Sequence, residues 1–385
     1  MTSEEETLTL EAKTIRYLER SRTYPISFAF NLDASMLEEF ELLHTITSTS
    51  MSRCVNLNIV SFDILKHWPP LGGTLVLKRL EITGELWSDE VGTRPYTILE
   101  TECPSLNKFE LDMMGSGAPA VTTSLLANIS KFASITHLHI TMLDAVIEVR
   151  DALAAFHDLQ CLWWYSEESS DEEFAATALS LPKLEQLKLE GDTLFLSLTM
   201  LNAPLLRRLE LRTYSENLLH WELLNPVQFP DLETLYCYAR DSNVRRILGA
   251  IEGHYSLRNV CWRIRDQFIP EFIRAFSKSA LAAQSSQPLL PQLDSVSIIP
   301  DVSKIPDEKP PPPSRWYAEI ARQLTKFVAL WNELSADRRS TFKLCLDEAL
   351  VEASQEIADA VASYPEILVP RVHYAPLFGP FDVHD

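Results

Sequence analysis

Aliphatic residues recur along this chain at offsets 0, +3 and +5, most regularly in LEQLKL at 184–189 and LRRLEL at 206–211. The last two positions are two residues apart. Strand side chains alternate faces, so both point to one side of a β-strand. One short strand cannot bury such a face alone, whereas a stack of similar strands can. The phrase returns as CVNLNI (54–59), LKRLEI (77–82), LNKFEL (106–111), ITHLHI (135–140) and LQCLWW (159–164). It continues as LETLYC (232–237), LRNVCW (257–262) and LDSVSI (293–298), and ISFAF at 26–30 has the same alternation. Successive copies stand 22 to 36 residues apart.

Between the copies the apolar period changes from 2 to 3.6, which predicts helices. Such stretches are 33–47, 122–132, 144–156, 172–181 and 241–251. Proline stands two residues before the opening leucine at Pro104, Pro182, Pro204, Pro230 and Pro291. Its ring ends a preceding helix, and it leaves no N–H unpaired where a strand begins. The predicted fold class is α/β: a leucine-rich-repeat solenoid with a curved parallel sheet, helices on the convex side and irregular repeats. Asparagine ladders are not expected, because the corresponding residues are Glu85, Met114, Leu143, Asp192 and Tyr214.

The pattern divides the chain into a lead-in at 1–22, a repeat domain at 23–300, a proline-rich linker at 301–314 and a helical segment at 315–385. Two helices are predicted in that last segment, over 315–335 and 337–363. Trp316, Ile320, Leu324, Phe327, Val328 and Trp331 stripe the first of them.

Composition narrows the function. The net charge is −20, from 54 acidic and 34 basic residues, and such a chain repels phosphate backbones. Nucleic acid is therefore not an expected partner. The 10 glycines form no phosphate-cradling motif. No apolar run is long enough to cross a bilayer, and the acidic N-terminus has no apolar signal core, so cytoplasm or nucleus is the expected location. The six cysteines form no CxxC and are read as reduced, packed thiols. His137 and His139 share a strand face, but no third metal ligand accompanies them. The run SEESSDEEF at 166–174 reads as a solvated acidic loop. No nucleophile elbow, HExxH or Cys/His pair occurs, so the expectation is a non-enzyme without cofactor or metal.

What remains is recognition. Residues between the repeat leucines should line the concave face. The charged members of that row are six basic (Arg79, Lys108, Lys188, Arg208, Arg212, Arg263) and four acidic (Glu81, Glu110, Glu190, Glu210). Trp, Tyr and Arg dominate interface hot spots. The candidate partner-binding residues are therefore His139, Trp163, Tyr165, Lys188, Glu210, Arg212, Tyr236, Tyr238 and Arg263.

YLERSRTYPISFAF (17–30), a helix, RCVNLNI (53–59) and repeats opening CPSL, LPKL, APLL and FPDL follow one another in this order. Over about 17–300 the chain resembles the repeat region of the fungal F-box/leucine-rich-repeat family. That resemblance implies substrate recognition within an SCF-type ubiquitin ligase, with a Skp-type adaptor bound only if an F-box is supplied. No F-box is visible here, since only some 22 residues precede the first strand, and YPEIL at 364–368 merely echoes its opening. The alternative is a repeat scaffold or adaptor unrelated to ubiquitylation. The protein partner itself is not named by the sequence.

Overall fold

The computed structural model describes residues 13–21, 23–31, 46, 48–60, 76–85, 103–114, 122, 125–128, 135–142, 146–166, 178–191, 198, 200–212, 224–239, 251, 253–264, 268–282, 293–300, 314–332, 343–352, 354–364 and 367–368. The chain forms two compact units, Met1–Leu184 and Glu185–Asp385.

In the first unit a helical segment at 13–20 precedes β1 (Ile26–Asn31). The next strands are β2 (Cys54–Val60), β3 (Arg79–Glu85), β4 (Lys108–Met114), β5 (His137–Met142) and β6 (Cys161–Ser166). Each pairs in parallel with the next. Parallel neighbours need a crossover, and α1 (Val146–Leu153) supplies one between β5 and β6. The +3 and +5 positions of the phrase form the core: Leu80, Ile82, Phe109, Leu111, Leu138, Ile140, Leu162 and Trp164 are all buried. Arg53 fastens the lead-in to the sheet. Its guanidinium donates to the carbonyls of Leu18, Ser21 and Tyr24, at the end of the helical segment and in the turn after it.

The second unit repeats the scheme with β7 (Gln186–Glu190), β8 (Arg208–Arg212), β9 (Thr234–Ala239), β10 (Asn259–Ile264), β11 (Ser295–Pro300), β12 (Lys343–Leu346) and β13 (Ile367–Leu368). Again every strand is parallel to its successor. Helices α2 (Ile269–Ala282), α3 (Ser314–Asn332), α4 (Glu348–Glu352) and α5 (Gln355–Ala362) complete it. In α2, Ile269, Phe272, Ile273 and Phe276 are buried at i, i+3, i+4 and i+7 spacing. Phe272 lies 5.8 Å from the core ring of Trp262, and Phe276 lies 6.2 Å from Phe327 of α3.

Sequence and structure differ at several described positions, the strand β13 in the segment expected to be helical among them. A single helix is expected over 337–363, but 343–346 form β12, with α4 and α5 after it. Its phrase is TFKLCL, in which Thr341 replaces the opening leucine, and its distance from Leu293 is roughly twice the usual repeat. Helix α2 is a further difference, since the pattern predicts no helix at 269–282. Another lies in 172–181, whose described residues include an extended pair, Leu179–Ser180, in place of the expected helix. The linker at 301–313, the acidic run after Ser166, and most of 33–47 and 241–251 fall outside the described residues.

The punctuating prolines have a more specific role than ending a helix. The opening leucine N–H donates to the carbonyl three residues back: Leu106 to Cys103, Leu184 to Leu181, Leu206 to Ala203 and Leu232 to Phe229, at 3.0–3.4 Å. Each proline is thus the second residue of a β-turn, where its fixed φ is already correct. The first residue of these turns is buried and usually apolar, but in the turn before Leu257 it is His254, 2 % exposed. Its neutral ring donates from Nε2 to Leu224 O at 3.3 Å.

Burial holds the His254 pKa below its ordinary value. Below about pH 6.5 the unfolded chain therefore takes up a proton that the native ring refuses, and stability falls as pH falls through that window. His137 is shifted the same way, by burial and by Lys108. Urea midpoints should drop between pH 7 and pH 5.5. His254→Phe, which installs the residue type that Phe229 supplies at the same turn position, should reduce that drop. An unchanged pH dependence in the variant would show that His254 does not contribute.

Candidate functional site on the polar sheet faces

The residues between the leucines share one face in each unit, in register from strand to strand. In the first unit one row runs Asn58, Glu81, Glu110, His139, Trp163. The row beside it runs Thr83, Asp112, Thr141, Tyr165. Arg79 donates through one terminal nitrogen to both Glu81 and Glu110, each at 3.2 Å. His139 Nδ1 donates to Glu110 Oε1 at 2.9 Å, and Thr141 Oγ1 is 3.2 Å from His139 Nε2. Both ring nitrogens of His139 are therefore engaged, one by the carboxylate and the other by the hydroxyl. The same imidazole stacks on Trp163, with centroids 4.0 Å apart and planes 12° from parallel.

Burial alone would raise the Glu110 pKa. The hydrogen bond and charge of His139 and the Arg79 guanidinium outweigh it and hold Glu110 below its ordinary value. Glu81 goes the other way, raised by burial and by the neighbouring Glu110. Asp112 is likewise raised, first by burial. His137 and His139 do share this face. His137 Nδ1 meets Thr136 Oγ1 at 2.9 Å, and Cys161, its register neighbour, is buried with its thiol pushed up to about 12. Among the described residues no group of three or more His, Cys, Asp and Glu is arranged to hold a metal ion.

In the second unit the corresponding rows are Lys188, Glu210, Tyr236, Cys261, Ser297 and Glu190, Arg212, Tyr238, Arg263, Ile299. The first two strands carry a closed quartet of charges. Lys188 Nζ lies 3.5 Å from Glu190 Oε2 and 3.9 Å from Glu210 Oε1. Arg212 reaches the same two carboxylates at 3.7 and 2.7 Å. Burial, with some help from Arg212, lowers the Lys188 pKa to about 8. Burial also raises Glu210. Arg212 is raised because Glu210 and Glu190 outweigh its own desolvation. Beyond the quartet the face turns apolar: Tyr236, Tyr238 and Ile299 cluster with Cys261 packed against them. Arg263 stands over the Tyr238 ring at 4.9 Å from its centroid, a cation–π distance.

These positions correct one part of the sequence reading. The candidates do lie on the expected face, but they are not an open row. Lys188 and Glu210 are each 1 % exposed, and His139, Tyr236 and Tyr238 are also buried. Trp163, Tyr165, Arg212 and Arg263 are half-buried. Long side chains on strands about 4.8 Å apart cover one another, and opposite charges at matching register pair. Three of the six basic residues read from the sequence are engaged in this way, since Arg79, Lys188 and Arg212 each hold two carboxylates. Asp112, Thr141 and Ile299 were not among the row read from the sequence. Their strands run two or three residues past the phrase, and extending the alternation by one step finds them.

Both units are built from one parallel strand per repeat with helices between strands. That arrangement defines an α/β repeat solenoid of the leucine-rich type, a fold typical of protein-interaction modules. No family model matches the chain, and no curated protein matches it. Among solved structures, a Bacteroides fragilis protein determined as a structural-genomics target aligns over 77 % of this chain and 76 % of its own, at 13 % identity and a TM-score of 0.39. That likeness is too slight to carry an inference. Among the described residues no helix is long and apolar enough to cross a membrane.

Proposed function

We propose that this protein is a non-catalytic interaction module that recognises another protein through its polar sheet faces. The observation that carries the reading is the first-unit face. There the His139–Trp163 stack leaves Trp163 and Tyr165 half-exposed, on a base held by the Arg79, Glu110 and His139 contacts. Aromatic side chains held by packing and by hydrogen-bonded neighbours lose little entropy on binding and suit hot spots. The finer reading is a substrate receptor of an SCF-type ubiquitin ligase. It rests on the sequence resemblance over about 17–300, and the adaptor would bind an F-box supplied outside that region. A scaffold or adaptor role unrelated to ubiquitylation is the alternative, and it fits the same faces.

The test is affinity capture with wild type and a Trp163→Ala, Tyr165→Ala double variant, using Lys326→Ala on the exposed side of α3 as control. A partner held by wild type and the control should lose about tenfold or more in affinity with the double variant, which should keep the wild-type urea midpoint within about 1 kcal/mol. Equal capture by all three proteins would remove the face as the binding surface. Co-purification of a Skp-type adaptor separates the receptor from the scaffold. Its absence, with no F-box encoded upstream, would leave the scaffold reading.

A further inference from the structure

Most side chains of the repeat strands are covered, yet three large apolar ones stand in solvent at the starts of three adjacent strands. Leu205 is 44 % exposed before β8, Val227 86 % before β9 and Tyr255 56 % before β10. Pro204 and Pro230 beside them are exposed as well. The turns are fixed against one another rather than loose. Ser256 Oγ donates to Pro230 O at 2.7 Å, and a Cβ placed on Gly253 would meet Pro226 Cγ at 3.1 Å. The turns that carry these side chains lead into adjacent strands, with Leu205 three residues before β8, Val227 seven before β9 and Tyr255 four before β10, so they form a broken apolar strip along one edge of the sheet.

A row of charges follows the same rim. The residue just before each strand from β7 to β11 is Glu185, Arg207, Glu233, Arg258 and Asp294, so the sign alternates at every step. The row is set by the backbone: the N–H groups of Arg207, Glu233, Arg258 and Asp294 each donate to the carbonyl of the preceding member at 2.7–2.9 Å. Glu185, Arg207 and Arg258 are exposed, while Glu233 and Asp294 are half-buried. Among the described residues none of the five side chains takes part in an ion pair or hydrogen bond. Along this rim Glu185, Arg207 and Arg258 are open to solvent.

We propose that this rim is the interface of a two-fold symmetric homodimer of the chain. A second copy laid antiparallel, with the two-fold axis between β8 and β9, sets Glu185 of one copy opposite Arg258 of the other. It also sets Arg207 opposite Glu233, each pair occurring twice. The same axis brings Pro204 and Leu205 against Val227 and Pro230. Placing the axis on a strand instead would oppose like charges throughout, so alternation selects the register. An isologous interface needs a surface complementary to itself, and this rim is one. Each copy carries −20, and the strip is short, so association is weak and concentration-dependent. The rim shares no residue with the polar faces assigned to partner recognition, and the dimer stands or falls independently of that assignment.

Sedimentation velocity on the full chain across the micromolar range tests the proposal, with far-UV circular dichroism and a urea melt on each variant. The mass should rise from the 43.8 kDa monomer toward twice that value with concentration. Val227→Asp and Arg258→Glu, both at exposed sites, should each weaken association by about tenfold or more. Glu185→Arg combined with Arg258→Glu should bring it back to near wild type, because the two opposed pairs are then restored with signs exchanged. A monomer at all concentrations would overturn the proposal. So would a dimer indifferent to Val227→Asp, or a double charge variant no tighter than Arg258→Glu alone.

Discussion

Leu209→Asp should unfold the second unit. Leu209 is 1 % exposed in β8, and its register partners Leu187 and Leu235 are buried beside it. The substitution loses roughly 1.5–3 kcal/mol of side-chain burial. It also places a carboxylate with no cation on the core face, at a further cost of several kcal/mol. Together these are comparable with the whole stability of a typical domain, about 5–15 kcal/mol. Trp262, fully buried on the same core face two strands away, makes the loss visible as a red-shifted emission. Arg208→Asp is the control: it installs the same carboxylate one residue earlier at an exposed position, and should shift the urea midpoint little. A wild-type melt for Leu209→Asp would mean that the faces of this strand are exchanged.

The second large effect is expected at the charge quartet. Glu210→Ala removes the carboxylate shared by Lys188 and Arg212 and takes from an ammonium that is 1 % exposed one of the carboxylates it faces. Breaking a buried pair from one side typically costs about 3–5 kcal/mol, because the remaining charge stays desolvated. Removing both sides, as in Lys188→Met with Glu210→Leu, should return most of that loss, since Arg212 and Glu190 still face each other. If the double variant is as unstable as Glu210→Ala, the loss comes from packing rather than from an uncompensated charge.

The pH dependence gives an independent reading of the same group. The native Lys188 pKa is about 8, against an ordinary value of 10.5. Between those values the unfolded chain holds a proton that the native lysine has released, so this group adds stability as pH rises. Buried thiols such as Cys54 and Cys261, both pushed up to about 12, act in the opposite sense over the same window. The measurable quantity is therefore the difference between two proteins. From pH 8 to pH 9.5 wild type should gain stability relative to Lys188→Met, and parallel curves would place Lys188 in contact with water.

The quartet also shows where sequence reading reaches and where it stops. Lys188, Glu190, Glu210 and Arg212 are recognisable as face residues because strand side chains alternate with a period of two, and each lies one step from a core leucine. Whether such a residue is available to a partner depends on the side chains beside it, and those belong to repeats more than 20 residues away in the chain. Arg79 could not be matched to Glu110, nor Lys188 to Glu210, without knowing the register between strands. The proline turns illustrate the same limit. Pro104 or Pro230 marks a boundary in the sequence, but the turn it serves is defined by a hydrogen bond that closes around it.

By itself the sequence determined the repeat, the strands built on it and the face on which each residue stands, because all three follow from short-range periodicity that one chain segment carries alone. β12 escaped because Thr341 stands where leucine, isoleucine or cysteine opens the other phrases and because the preceding interval is about doubled; the ladders with β11 and β13 make it a strand. The tertiary structure decided which charges cancel, why Lys188 and Tyr236 are covered while Trp163 stays half-open, and how Leu205, Val227 and Tyr255 come to share one rim. Those are outcomes of stacking, in which residues distant in sequence are brought within a strand spacing of one another.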